Sequence, residues 1–133
     1  MVIQTVIIDT SILIDYLRQS TKQDAGTQLE KLLNNESLHL IISAATIQEL
    51  FAGQSSRNKE KEMEIRELLK NFVIIPIEPT IAEIAGNVMR DNKKKIIQFA
   101  DAQIAATAIQ EKAYLATINK KDFDWIEGIK LYE

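Results

Sequence analysis

Residues 2–17, VIQTVIIDTSILIDYL, decide the fold. Val6, Ile7 and Ile8 form an unbroken apolar run, and Asp9 follows with no gap. A strand wetted on one face alternates apolar and polar residues. An unbroken run suits a strand covered on both faces, as in a parallel sheet with helices above and below. The stretch therefore predicts a buried strand over 2–8 and a short helix over 11–18, with a carboxylate between them. Sites in open α/β sheets form beyond the carboxyl ends of the strands, so Asp9 is the first candidate functional residue.

The rest of the chain repeats the alternation. Ala25, Leu29, Leu32 and Leu33 have helical spacing, predicting a helix over about 24–34. LHLIIS (38–43) reads as the second strand. Ile47, Leu50 and Phe51 mark a helix that Ser43 caps and Gly53 stops. Ile65, Leu68, Leu69 and Phe72 mark a charged amphipathic helix from about residue 57, and FVIIPI (72–77) reads as the third strand. Thr80 and Glu83 fit a capping box opening a helix with Ile81, Ile84, Ala85, Val88 and Met89 on one face. After the basic NKKK loop, Asp101 opens an alanine-rich helix whose small residues let it lie close to a sheet. AYLAT (113–117) and IKLY (129–132) read as fourth and fifth strands. This order predicts a single-domain, three-layer α/β/α sandwich around a mainly parallel sheet with right-handed crossovers. The two helices between the second and third strands are expected to form a hairpin projecting from the sheet, a candidate partner surface.

Bulk properties set boundaries. A chain of 133 residues fits one domain of ordinary size. The absence of cysteine excludes disulfides and thiolate metal sites, and is consistent with a cytoplasmic location. With 4 Gly and 2 Pro, loops should be short. No apolar run approaches a membrane span, and no basic-then-apolar leader is evident. The net charge of −3 argues against a generic polyanion binder. It decides little, because acids neutralised by bound cations would leave the rest of the chain weakly positive.

The carboxylates fall at one predicted edge. Glu49 lies in the second turn after the second strand, Asp101 opens the helix before the fourth, and Asn119 and Asp122 follow the fourth. Acids converging from separate segments repel one another unless a cation sits among them. Oxygen-only ligands select hard ions such as Mg²⁺ or Mn²⁺, and such ions suit phosphodiester hydrolysis. Each acid also has a bland role open to it: Asp9 and Asp101 as caps, Glu49 as a solvated helix residue, Asp122 as a loop acid. His39, the only histidine, reads as a partly buried strand residue, and Asp15 as an exposed helix acid.

IIDTSILIDYL, IQELFAG, ADAQIAATAI and ATINKKDF, in this order, resemble the PIN-domain ribonucleases, and more narrowly the VapC-type toxins of toxin–antitoxin pairs. The likeness spans nearly the whole chain. It implies an α/β/α sandwich that binds Mg²⁺ or Mn²⁺ and cleaves RNA as an endoribonuclease. It implies that Asp9, Glu49 and Asp101 are metal-binding and catalytic. Asp122 is the candidate fourth acid, because Asn119 stands where many PIN domains carry Asp. Thr10 and Ser11 stand beside the first acid and orient it or a phosphate; Ser11 can also cap the helix. Thr117 is expected to bond a carboxylate or a metal-bound water. The family likeness further implies a homodimer and a VapB-type antitoxin whose C-terminal segment obstructs the acidic pocket, with Phe51 and the helix pair to about residue 71 as contact surfaces.

Lys93, Lys94 and Lys95 precede Asp101, and Lys120 and Lys121 adjoin the fourth motif. Both groups are expected to hold RNA phosphates without reading sequence. The aromatic content of 6% gives little sign of a base-stacking platform. Two other classes compete: a non-catalytic PIN-like RNA-binding or scaffold protein, and a structure-specific DNA nuclease sharing the metal chemistry. A phosphoacceptor receiver domain fails because residue 10 is Thr and FVIIPIEPT offers only Glu78. A phosphatase of the D-x-D type fails because residue 11 is Ser.

Overall fold

The computed structural model describes residues 2–19, 26–53, 57–92 and 95–133. Four strands, β1 (Gln4–Ile8), β2 (Leu38–Ser43), β3 (Val73–Ile75) and β4 (Tyr114–Ala116), form one parallel sheet in the order β3-β2-β1-β4. Among the described residues six α-helices connect them: α1 (Thr10–Gln19), α2 (Gln28–Leu33), α3 (Ala44–Ala52), α4 (Lys59–Leu69), α5 (Pro79–Asp91) and α6 (Phe99–Gln110). The predicted α/β sandwich is thus the observed one.

The apolar run of β1 is buried on both faces, as its composition requires. Ile7 joins Ile41, Leu115 and the alanines of α6 on one side. Val6 and Ile8 join Ile42, Ala116, Ile12 and Leu29 on the other. The period of two in a strand divides consecutive residues between two cores. Ala102, Ala105, Ala106 and Ala108 are all buried, so α6 lies against the sheet with little side-chain bulk between. The backbone N–H of Asp9 donates to the Ala116 carbonyl at 2.9 Å, extending the β1–β4 ladder by one residue and locking the carboxylate at the strand's end.

Several expectations are corrected. The first strand starts at Gln4, with Val2 and Ile3 exposed. The fifth strand shrinks to a single parallel bridge, Leu115 with Leu131. Gly128, at φ +92, turns the chain back toward β4, and the contact ends after one pair of backbone bonds. The Thr80–Glu83 capping box is not formed: Pro79 occupies the first helical turn of α5, and Glu78 caps it without a side-chain bond. Proline there needs no N–H partner and is already set at a helical φ. A real capping box lies elsewhere, Thr27 with Glu30 at the start of α2. Residues 24 and 25 of the expected second helix lie outside the described residues. Ser43 does cap α3, accepting from the Ala45 N–H at 3.0 Å. His39 is exposed rather than partly buried, because β2 enters the core only from Ile41 onward. The helix pair α3 and α4 does not stand off the sheet: Leu50, Ile65 and Leu68 are buried in one cluster with β1 and α1. Apolar faces on both helices draw them onto that core.

Candidate active site

Four segments deliver acids to the carboxyl edge of the sheet. Asp9 follows β1, and its side chain is buried (3% exposed). Glu49 stands on the exposed side of α3, Asp101 is half-buried in the first turn of α6, and Asp122 is exposed in a 3-10 turn, Lys120–Asp122, after β4.

Buried Asp9 is held by a directed set of hydrogen bonds. Ser11 Oγ donates to Asp9 Oδ2 at 2.6 Å, and Thr117 Oγ1 donates to the same oxygen at 2.7 Å. Each hydroxyl in turn accepts a backbone N–H: Ile118 to Ser11 at 3.3 Å and Asn119 to Thr117 at 3.0 Å. Donation into a hydroxyl strengthens its own donation onward. Among the described residues no donor reaches Oδ1, which is left for other work. Glu49 is positioned in the same way: Thr10 Oγ1 donates to its Oε1 at 2.6 Å and is bonded to buried Thr46 at 2.9 Å. Thr10 and Ser11 therefore divide their labour between the first and second acids. Thr117 bonds a carboxylate, as anticipated, and Asn119 contributes through its backbone. Ser11 does not act as a helix cap.

The electrostatics of Asp101 tie the edge together. Burial first, then the charges of Asp9, Glu49 and Asp122, push its carboxyl up to about 6. Negative charge is thus crowded at one place by acids from four segments. Asp101 and Asp122 line one cavity of about 230 Å³ with Gln98, Ile97 and Trp125. Among the described residues no three acids, as oriented, form a group that could hold a metal ion. Carboxylate oxygens without sulfur are the donors that a hard divalent cation takes.

The lysine expectations divide. Lys93 and Lys94 lie outside the described residues. Lys95 lines the acidic cavity, and its Nζ donates to the Lys121 carbonyl at 3.2 Å, joining the two lysine groups. Lys120 pairs with Glu133 at 3.4 Å. Asp15 is half-buried and accepts from Gln19 at 2.7 Å, away from the other acids' hydrogen bonds. Beside Glu49, a groove of about 490 Å³ runs between α1, α3 and α4. Phe51, near it, carries the Arg66 guanidinium 5.1 Å above its ring.

Two residues of the site escaped sequence reasoning. Thr46 sits one turn before Glu49 on α3, and that i, i+3 spacing was its only signal. Trp125 forms a wall of the acidic cavity through a turn that no periodicity announces. Among the described residues no helix is long and apolar enough to cross a membrane.

Comparison with known proteins matches residues 6–128 to the PIN domain. Ribonuclease VapC1 of Methanocaldococcus jannaschii is 31% identical over 132 residues, 96% of this chain and 87% of that protein. Among solved structures, VapBC2 from Rickettsia felis, bound to a DNA fragment from their promoter, has a TM-score of 0.81 at 25% identity, covering 97% of this chain and 98% of its own. A toxin–antitoxin complex from Klebsiella pneumoniae has a TM-score of 0.73 at 31% identity, covering 96% and 98%.

Proposed function

This chain belongs to the PIN-domain family, with a VapC ribonuclease among its relatives, and from that premise we propose that it is a metal-dependent endoribonuclease, the toxin of a type II toxin–antitoxin pair. The observation that carries the reading is the convergence of Asp9, Glu49 and Asp122 on half-buried Asp101, whose carboxyl is pushed up to about 6 first by burial and then by those three charges. A cation among these acids relieves the repulsion. Asp9, Glu49, Asp101 and Asp122 are the residues that would hold Mg²⁺ or Mn²⁺.

When bound, such an ion supplies a hydroxide-like water and neutralises charge on the phosphate and the leaving oxygen. The chain's own residues do the positioning. Ser11 and Thr117 hold one oxygen of Asp9 by two donated hydrogen bonds. Thr10 orients Glu49. Lys95, Lys120 and Lys121 are the candidates to meet the phosphates of a single-stranded or looped RNA, Lys95 exchanging its bond to the Lys121 carbonyl and Lys120 its pairing with Glu133 for them. Cleavage leaves 5′-phosphate and 3′-hydroxyl ends. The relatives crystallised as toxin–antitoxin complexes support a VapB-type antitoxin partner. The groove beside Glu49 is the candidate seat for its obstructing segment. The active form is a homodimer in the cytoplasm, and one PIN domain accounts for the chain.

The test expresses the chain and its Asp9→Asn variant at matched levels and maps cellular RNA ends. New 5′-phosphate ends should appear only with the unaltered chain, together with slowed growth. Identical ends and growth in the two strains would overturn the reading.

A further inference from the structure

A groove of about 650 Å³ runs between α5, α6 and the segment after the 3-10 turn. Ile84, Val88 and Trp125 give it apolar walls, and Asn87 and Glu127 stand on it as exposed polar groups. Trp125 and Lys95 line both this groove and the cavity that holds Asp101 and Asp122, so the two spaces adjoin. The Trp125 indole N–H donates to the Asp122 carbonyl at 2.9 Å. That bond occupies the ring's only donor and fixes its plane beside the acids.

We propose that this groove is a nucleobase subsite: the base next to the scissile phosphate stacks on Trp125 and presents an amino-bearing edge to Asn87 and Glu127. The inference rests on the ribonuclease reading and adds to it a source of sequence preference. Three features select a base over other occupants. The apolar walls and the Asp91 and Glu127 carboxylates disfavour a phosphate, whose place on the ribonuclease reading is the adjoining acidic cavity with its cation bound. A fixed indole offers the flat surface on which unstacked bases of single-stranded RNA are held. Asp91, Asn92 and Lys95 also line the groove, engaged by Arg90, by the Lys95 backbone and by the Lys121 carbonyl respectively; Asn87 and Glu127 add an amide, which both donates and accepts, and a carboxylate, which only accepts. Adenine, cytosine and guanine carry an exocyclic amine to donate to Glu127; uracil carries none and offers only its N3–H, flanked by two carbonyl oxygens that the carboxylate repels. The groove therefore discriminates against uracil.

Trp125 is the chain's single tryptophan, so its indole N–H gives one resolved signal in the nitrogen–proton spectrum of the labelled full chain. The titrants are the 5′-monophosphates of adenosine, cytidine, guanosine and uridine, with ribose 5-phosphate as the base-free control. None contains a bond the enzyme would cut. The three amino-bearing nucleotides should shift the signal, with uridine monophosphate and ribose 5-phosphate binding at least about fivefold more weakly. Asn87→Ala, at an exposed position that spares the core, should weaken the amino-bearing nucleotides about three- to tenfold. Equal shifts by ribose 5-phosphate, or no effect of Asn87→Ala, overturn the proposal. So does a signal that moves with protein concentration alone, which assigns the groove to contact between two copies. A parallel Mn²⁺-supported cleavage assay separates the two readings. If RNA is cut while the nucleotides leave the signal still, only the subsite falls. If no RNA is cut, the ribonuclease reading falls and the subsite falls with it.

Discussion

Asp9 Oδ2 receives two hydroxyl donors, and each of those hydroxyls is itself fed by a backbone N–H from the segment after β4. Losing one such donor leaves a buried charge under-satisfied. Thr117→Val should therefore destabilise the protein by about 1–3 kcal/mol in urea denaturation. It should also weaken Mn²⁺ binding by about tenfold in calorimetry, because hydrogen bonds behind a ligand tune its affinity. An unchanged affinity would show that Asp9 orientation does not matter for metal. Asp101 behaves oppositely. Its folded pKa of about 6 lies above the ordinary value of 3.8, so the folded state favours the protonated form. The cost of its charge is absent below the unfolded value, grows as pH rises through the window from 3.8 to 6, and is complete above it. Asp101→Asn removes that cost. In chelator-containing buffer the variant should be more stable at pH 7–8 by on the order of 1–2 kcal/mol, after allowance for solvent screening at a half-buried group. The two proteins should converge near pH 4. A difference independent of pH would sink this account. The hydroxyls themselves were legible in the sequence, since Thr10, Ser11 and Thr117 adjoin the motifs. Which acid each one serves was not, because that depends on side-chain directions set where three segments meet.

The elements follow from periodicity wherever burial dictates composition. The strands 38–43 and 113–117 and the alanine-rich helix were readable because a sheet covered on both faces demands apolar runs and close-lying small residues. Ala105 is fully buried in α6, against the core that holds Ile7 and Leu115. Ala105→Leu should overpack this layer and cost about 1–3 kcal/mol, read as a lowered urea midpoint with an unchanged slope. Leu115→Ala, at the centre of the same core, should cost about 2–5 kcal/mol. The misread elements share one cause, competition between local signals. Pro79 overrode the Thr80–Glu83 pattern by starting α5 itself. The apolar IKLY segment looked like a strand, yet Gly128 returns it to β4 for one bridge only. Thr27–Glu30 carried the same capping signature and formed it, because no proline competes there.

At the scale of the whole molecule, the proposed metal site would couple ion binding to folding. An ion that binds only the folded state stabilises it by about 2.7 kcal/mol at one hundred times its dissociation constant. Mn²⁺ should accordingly raise the melting temperature of the unaltered chain, and the rise should disappear in Asp9→Asn. A rise of equal size in the variant would place the ion elsewhere. The sequence by itself determined the parallel α/β architecture, because burial on both faces is written in composition and order; the four acids it offered only as candidates, singled out by the family resemblance of the motifs around them. Only the tertiary structure decided how the site is held: which hydroxyl serves which acid, that Thr46 and Trp125 belong to it, and that a second groove shares its wall. Those contacts join residues as far apart as Asp9 and Thr117, and no local pattern encodes a pairing that the closing of the sheet creates.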